Sequence, residues 1–130
     1  MSPVSASSTT PASRSSDRNS EGGVNEKPIF WKKAKWVDYS GPIQPGIQEG
    51  ITLFDHPSNP NHPSGFHVRD DGWMGAALSF GAPLVIKPGE PLRLRYALHV
   101  HAGVPESAAI QKQWELFANS SPPSLETKRP

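Results

Sequence analysis

Three histidines and three aspartates fall within twenty positions of "FDHPSNPNHPSGFHVRDDGW", residues 54–73: His56, His62 and His67 with Asp55, Asp70 and Asp71. Imidazoles titrate near neutrality, so such a set can pass protons as general acid and base. Each neutral ring can also offer one nitrogen lone pair to a metal. Pro57, Pro60 and Pro63 fix φ and bias the residues before them toward extended backbone. His56, Asn59 and His62 are then held on a stiff scaffold, which loses little entropy when a ligand binds. The competing reading is a polar turn in which the same residues satisfy backbone and face water. His56, His62 and His67 are the candidate catalytic groups, and Asn59 and Arg69 are candidate substrate-binding groups. Asp55 serves equally well as a loop cap or an acid. Asp71 reads as part of a charged turn. Trp73 reads as core in preference to a sugar-stacking platform, because large aromatics dominate small cores.

A second set lies further along. His99 and His101 are two apart in "PLRLRYALHVH", and a strand would point both the same way, so together they are the candidate metal ligands. Arg93 and Arg95 share that face as candidate substrate-binding groups. The alternative is a polar sheet face with two histidines on it by chance.

The elements that must position these groups read as β structure. "KWVDYSG", "GITLFDH", "GWMGAALSF" and "PLVIK" are short apolar or alternating runs divided by turn residues. The clearest strand is residues 91–101. There Leu92, Leu94, Tyr96, Leu98 and Val100 alternate with Arg93, Arg95, Ala97, His99 and His101, which predicts an apolar core face and a polar face. After it the period changes. Ile110, Gln113, Trp114 and Phe117 fall at helical spacing, so a helix is expected from Pro105 to Phe117, with Ile110, Trp114 and Phe117 against the sheet. The fold class is mainly β: an antiparallel sheet of four or five strands with one C-terminal helix.

Composition limits the rest. The chain has 130 residues, with eight serines and no aromatic in residues 1–26, so a disordered tail is expected through residue 30 and another over 119–130. Folded structure is expected over 31–118. Net charge is +1, with 13 basic and 12 acidic residues mixed along the chain, so no one-sided field selects nucleic acid or an anionic membrane. "KPIFWKKAKW" is the one basic and aromatic cluster, and it reads as a solvated strand lead-in with an apolar anchor. There are no cysteines, which excludes disulfides and thiolate chemistry. The start lacks the pattern of a secretory signal. The uncharged run between Asp71 and Lys87 is shorter than the ~20 residues needed to span a bilayer. A soluble chain is expected.

"WVDYSGPI", "GITLFDHPSNPNHPSGFHVRDDGWMGA" and "PGEPLRLRYALHVHAG" resemble the C-terminal part of the PmoA-like family, labelled "methane oxygenase PmoA", over residues 35–117. Phe66 stands where that family commonly has Trp. The resemblance implies a mutarotase-like β-sandwich whose N-terminal half is missing here, with residues 1–30 as unrelated filler. It also implies members encoded near sugar-linked oxidoreductases. Three functions follow as expectations: carbohydrate binding or transformation, a metal-dependent oxygenase or hydrolase, or a truncated fragment inactive by itself. No cofactor is named by the residues. The expected partner is a small molecule or sugar, with neither nucleic acid nor membrane.

Overall fold

The computed structural model describes residues 15–122. Seven strands and two helices follow in the order β1 (Ser16–Asn19), α1 (Glu26–Ile29), β2 (Lys32–Ala34), β3 (Trp36–Gln44), β4 (Ile47–Asp55), β5 (Ser64–Val68), β6 (Met74–Ala77), β7 (Tyr96–Ala102) and α2 (Ser107–Ala118). They form two antiparallel sheets, β1-β3-β4-β7 and β2-β5-β6. The mainly β architecture with one C-terminal helix of any length is therefore present, as a β-sandwich. Among the described residues no helix is long and apolar enough to cross a membrane.

Period-two alternation in β3 and β4 explains the layering. Val37 and Leu53 project toward the smaller sheet and pack with Ile29, Ala34, Phe66 and Val68. Their neighbours Trp36 and Phe54 project the other way and pack with Ile110 and Trp114 of α2. Residues 36–38 and 52–55 are thus covered on both faces. The hairpin end of the same strands, Pro42 to Ile47, is exposed. That hairpin turns at Pro45-Gly46, where the proline presets φ and Gly46 takes φ 80°, a conformation glycine adopts without steric cost.

Several expectations need correction. The segment expected to lack structure through residue 30 supplies, from Ser16 onward, strand β1 and the fully buried Ile29. At the other end Ser120 bonds to Arg95, inside the segment 119–130 that was expected to be a tail. What was expected of residues 1–14 and 123–130 lies outside the described residues. "PLVIK" is not a strand, and residues 82–95 carry neither strand nor helix. Pro83, Pro88 and Pro91 remove backbone donors from that run, which disfavours a sheet ladder. The strand expected over 91–101 begins only at Tyr96, because its partner β4 ends at Asp55 and the two residues face each other across the ladder.

The alternation in β7 is real, but its apolar face is the uncovered one. Leu98 and Val100 are 67% and 70% exposed. His99 and His101 are half-buried on the opposite face, the one that carries Thr52 and Phe54. Leu98 lies opposite Leu53, on the face turned toward the smaller sheet, but the apolar layer between the sheets takes residues from β3 and β4 and none from β7, which leaves Leu98 and Val100 bare.

Candidate functional site

The histidines do not converge. They occupy three places, each set by a different layer of the fold.

On the face of the larger sheet turned away from the smaller one, a polar row centres on Asp38, which is wholly buried. Register places Arg18 and Thr52 directly opposite it on β1 and β4. Arg18 Nη2 donates to Asp38 Oδ2 at 2.8 Å, Ser40 Oγ to the same oxygen at 2.6 Å, and Thr52 Oγ1 to Oδ1 at 2.7 Å. His101 Nε2 donates to Oδ1 at 2.5 Å. Burial alone would raise the Asp38 pKa, but the bonds from Ser40, Arg18, His101 and Thr52 outweigh it and hold the carboxylate below the usual range. His99 lies beside His101 and stacks on Phe54 with centroids 5.8 Å apart. The two candidate metal ligands therefore share a face as expected, but His101 is committed to a carboxylate that also holds a guanidinium. Among the described residues no three His, Asp or Glu side chains are grouped to hold a metal.

The proline-rich loop is tied to Asp55, at the end of β4. Asp55 Oδ2 accepts from His62 Nδ1 at 2.5 Å and from Ser64 N at 3.2 Å, while Oδ1 accepts from Asn59 Nδ2 at 2.8 Å. Asn59 also bridges to the strandless run. Its Nδ2 donates to Arg95 O at 2.7 Å, and its Oδ1 accepts from Arg95 N at 2.7 Å. Arg95 Nη1 lies 2.9 Å from His56 Nε2, and Ser58 N–H donates to His56 Nδ1 at 3.0 Å. Burial, and then the Arg95 charge, push the His56 pKa below that of a free imidazole. Asn59, His56 and Arg95 thereby clamp the loop, using nearly every donor and acceptor they carry. His62 is the exception. Its ring lies parallel to Trp114 at 6.0 Å, and its Nε2 makes no hydrogen bond among the described residues.

His67 belongs to the smaller sheet, apart from His56 and His62. Phe66 and Val68 point into the core, so Gly65 and His67 point out, and across the ladder from them lie Ala77 and Gly75. Lys33 on β2 lies opposite Gly65, so this outward face carries Lys33, His67 and Ala77 with two glycines between them. A Cβ at Gly65 would strike the Phe80 ring, whereas one at Gly75 would meet nothing within 4 Å. Around His67 stand Phe30, Trp31 and Trp73, with ring centroids at 4.9, 5.1 and 5.9 Å, and Phe80 continues the row 5.5 Å beyond Trp31. Trp73 is 60% exposed and Trp31 is 42% exposed, so Trp73 is not core. A cleft of about 280 Å³ runs along Trp31, Ala77, Ser79, Phe80 and Gly81. His67 Nδ1 is buried, and among the described residues neither it nor Nε2 has a hydrogen-bond partner.

The remaining candidates are peripheral. Arg69 forms a surface ion pair with Asp71 at 3.0 Å, a type worth little in water. Arg93 is exposed on the strandless run and is not part of a polar floor. Residue spacing missed Phe30, Trp31, Phe80 and Gly75. The signal for the first two was "KPIFWKKAKW", which read as an apolar anchor. Phe80 and Gly75 carried no signal until strand register placed them beside His67.

A two-sheet β fold with a closed polar staple and an open aromatic face defines a class of architecture without a reaction attached. The chain matches the family of unknown function DUF6807 over residues 6–115 and belongs to that family. This overturns the resemblance to the PmoA-like family, because nothing in the match points to a methane oxygenase. It also places residues 6–30, expected to be filler, within the family's extent. In this chain Asp55, Asn59 and His62, which lie in the stretch that carried the resemblance, bond to one another and hold the loop to the end of β4. No curated protein and no solved structure matches.

Proposed function

We propose that this protein binds carbohydrate on the outer face of β5 and β6, with Trp31 and Trp73 as stacking platforms and His67 between them. One observation carries this reading: two half-exposed or more exposed indoles flank a histidine whose ring nitrogens make no hydrogen bond, above a floor opened by Gly75. Soluble proteins rarely leave large aromatic surface bare without a partner for it. Sugars present apolar C–H faces to rings and hydroxyls to imidazole, a combination that this surface complements.

The test is a titration of the full chain with a panel of mono- and oligosaccharides, followed by the four indole N–H resonances in 15N spectra. Trp31 and Trp73 should shift while the buried Trp36 and Trp114 stay in place. Trp73→Ala should remove most of the binding. A panel without any response counts against the reading.

Acid–base chemistry at His62 is the second reading. It is favoured by one observation, the carboxylate of Asp55 holding Nδ1 while Nε2 has no partner. A sugar whose shifts gather on Trp114 and His62 would move the assignment there.

A further inference from the structure

Three of the four strands that edge the two sheets are short: β1 and β6 have four residues each and β2 has three. β1 and β2 also carry charge, as Asp17, Arg18, Lys32 and Lys33. The fourth edge is β7, with seven residues and no proline, bulge, lysine, arginine or carboxylate. Proteins normally blunt a sheet edge with one of those devices, because its free N–H and C=O groups are a template for another strand. The ladder identifies those free groups. His56 N–H donates to Arg95 O at 3.3 Å and Gly103 N–H to Gln48 O at 2.6 Å, so the odd-numbered residues of β7 bond to β4. Antiparallel bonding alternates, so the N–H and C=O of Tyr96, Leu98, Val100 and Ala102 point to the open edge. Among the described residues no hydrogen bond reaches them. The same residues include the bare Leu98 and Val100, and Ile51, opposite Val100 and 42% exposed, continues that apolar face.

We propose that β7 pairs antiparallel with β7 of a second copy of this chain about a two-fold axis at His99, joining the two larger sheets into one. This register overlaps the whole strand: Tyr96 meets Ala102 of the second copy, Ala97 meets His101, and Leu98 meets Val100. Each outward N–H and C=O then has a partner. Leu98 and Val100 become a cross-strand apolar pair on one face, while His99 meets its counterpart on the other. A two-fold contact requires a surface that complements itself, and a strand carrying a fixed charge at its centre would oppose like to like. β7 carries none, and its apolar residues occupy the positions whose backbone is free. A strand of a different protein is the competing occupant, and it would leave the purified chain monomeric. The joint lies in the other sheet from His67 and stands apart from the carbohydrate reading.

The experiment is sedimentation of the full chain over about 1–100 µM, the range in which a small interface is read. The parent should pass from one chain of 14.1 kDa to two as concentration rises. Leu98→Lys and Val100→Glu, both at exposed positions, should each weaken association about tenfold or more, with unchanged melting curves confirming the fold. An equal mixture of the two variants should pair more tightly than either alone, because the introduced lysine of one then faces the introduced glutamate of the other. The chain has no cysteine, so His99→Cys should cross-link to its own copy on mild oxidation, the two Cα atoms lying about 4.5 Å apart in such a pair. Val100→Cys, which faces Leu98 of the second copy, should not. A parent that stays monomeric throughout overturns the proposal. So does a dimer that survives both charges, or a mixture that recovers nothing, since either places the contact elsewhere.

Discussion

The loop after β4 and the strand β5 lie next to each other in the chain and treat histidine in opposite ways. His56 and His62 are drawn into a closed network in which Asp55, Asn59 and Arg95 satisfy one another. His67 stands among Phe30, Trp31 and Trp73, and among the described residues neither of its ring nitrogens is bonded. Buried polar groups in native proteins are normally paired, so a closed network reads as architecture. An unpaired group beside exposed aromatic surface reads as a place kept for something else. Density of chemically capable residues is therefore a poor guide to a site. The opening stretch is rich in such residues because a loop without regular structure needs side chains to satisfy its backbone.

This contrast can be broken most forcefully at Asp38. Replacing it with alanine strands Arg18 and His101 without their carboxylate, and should cost about 3–5 kcal/mol in urea denaturation. A loss below about 1 kcal/mol would mean that the polar row around Asp38 is not structural. Asn59→Ala should follow, with about 2–3 kcal/mol lost as three hydrogen bonds vanish and Asp55 is left short of a donor.

The next effect has the opposite sign. Burial pushes the Asp17 carboxyl up from 3.8 to about 6, with the charges of Asp70 and Glu26 adding to it, so the folded state favours the neutral form. Its contribution to stability is full below 3.8 and is lost as pH rises through about 6. Asp17→Asn should therefore stabilise the protein by about 1–3 kcal/mol at pH 7.5 and make no difference near pH 3, as read from melting curves across pH. Asp38 has a lowered pKa, so its contribution is present above the ordinary carboxylate value and fades as pH falls through its own. Trp73→Ala sharpens the comparison from the other side. Its stability should stay within about 0.5 kcal/mol of the parent, since the ring is 60% exposed and meets His67 only edge to face. A large loss would make Trp73 part of the core after all.

Much of the framework was legible in residue order. The runs around Trp36 and Phe54, and the helical spacing of Ile110, Trp114 and Phe117, led to the right elements because one apolar face of each is buried by packing alone. The direction of β7 was not legible. Alternation states that Leu98 and His99 face opposite ways, but not which face meets the core. That choice was made by Asp38 and Phe54, on other strands, which take up the histidines. The aromatic face was hidden for a similar reason: Trp31, His67 and Phe80 come from separate segments that only β2-β5-β6 pairing brings together. Asp55 and Asn59 were visible as residues, while their role as a clamp depended on Arg95 arriving from 36 positions away.

Helix α2 reaches its sheet through two indole N–H groups: Trp114 Nε1 bonds to Asp55 O across 59 positions, and Trp36 Nε1 bonds to Gln111 Oε1 across 75. A ribosome releases the chain from its N-terminus at about 5–20 residues per second, so β3 and β4 emerge several seconds before the residues that cover them. For that interval Trp36 and Phe54 are bare on a sheet that is otherwise ready to form. Until α2 emerges, any other apolar surface near the ribosome would compete with it for those two rings.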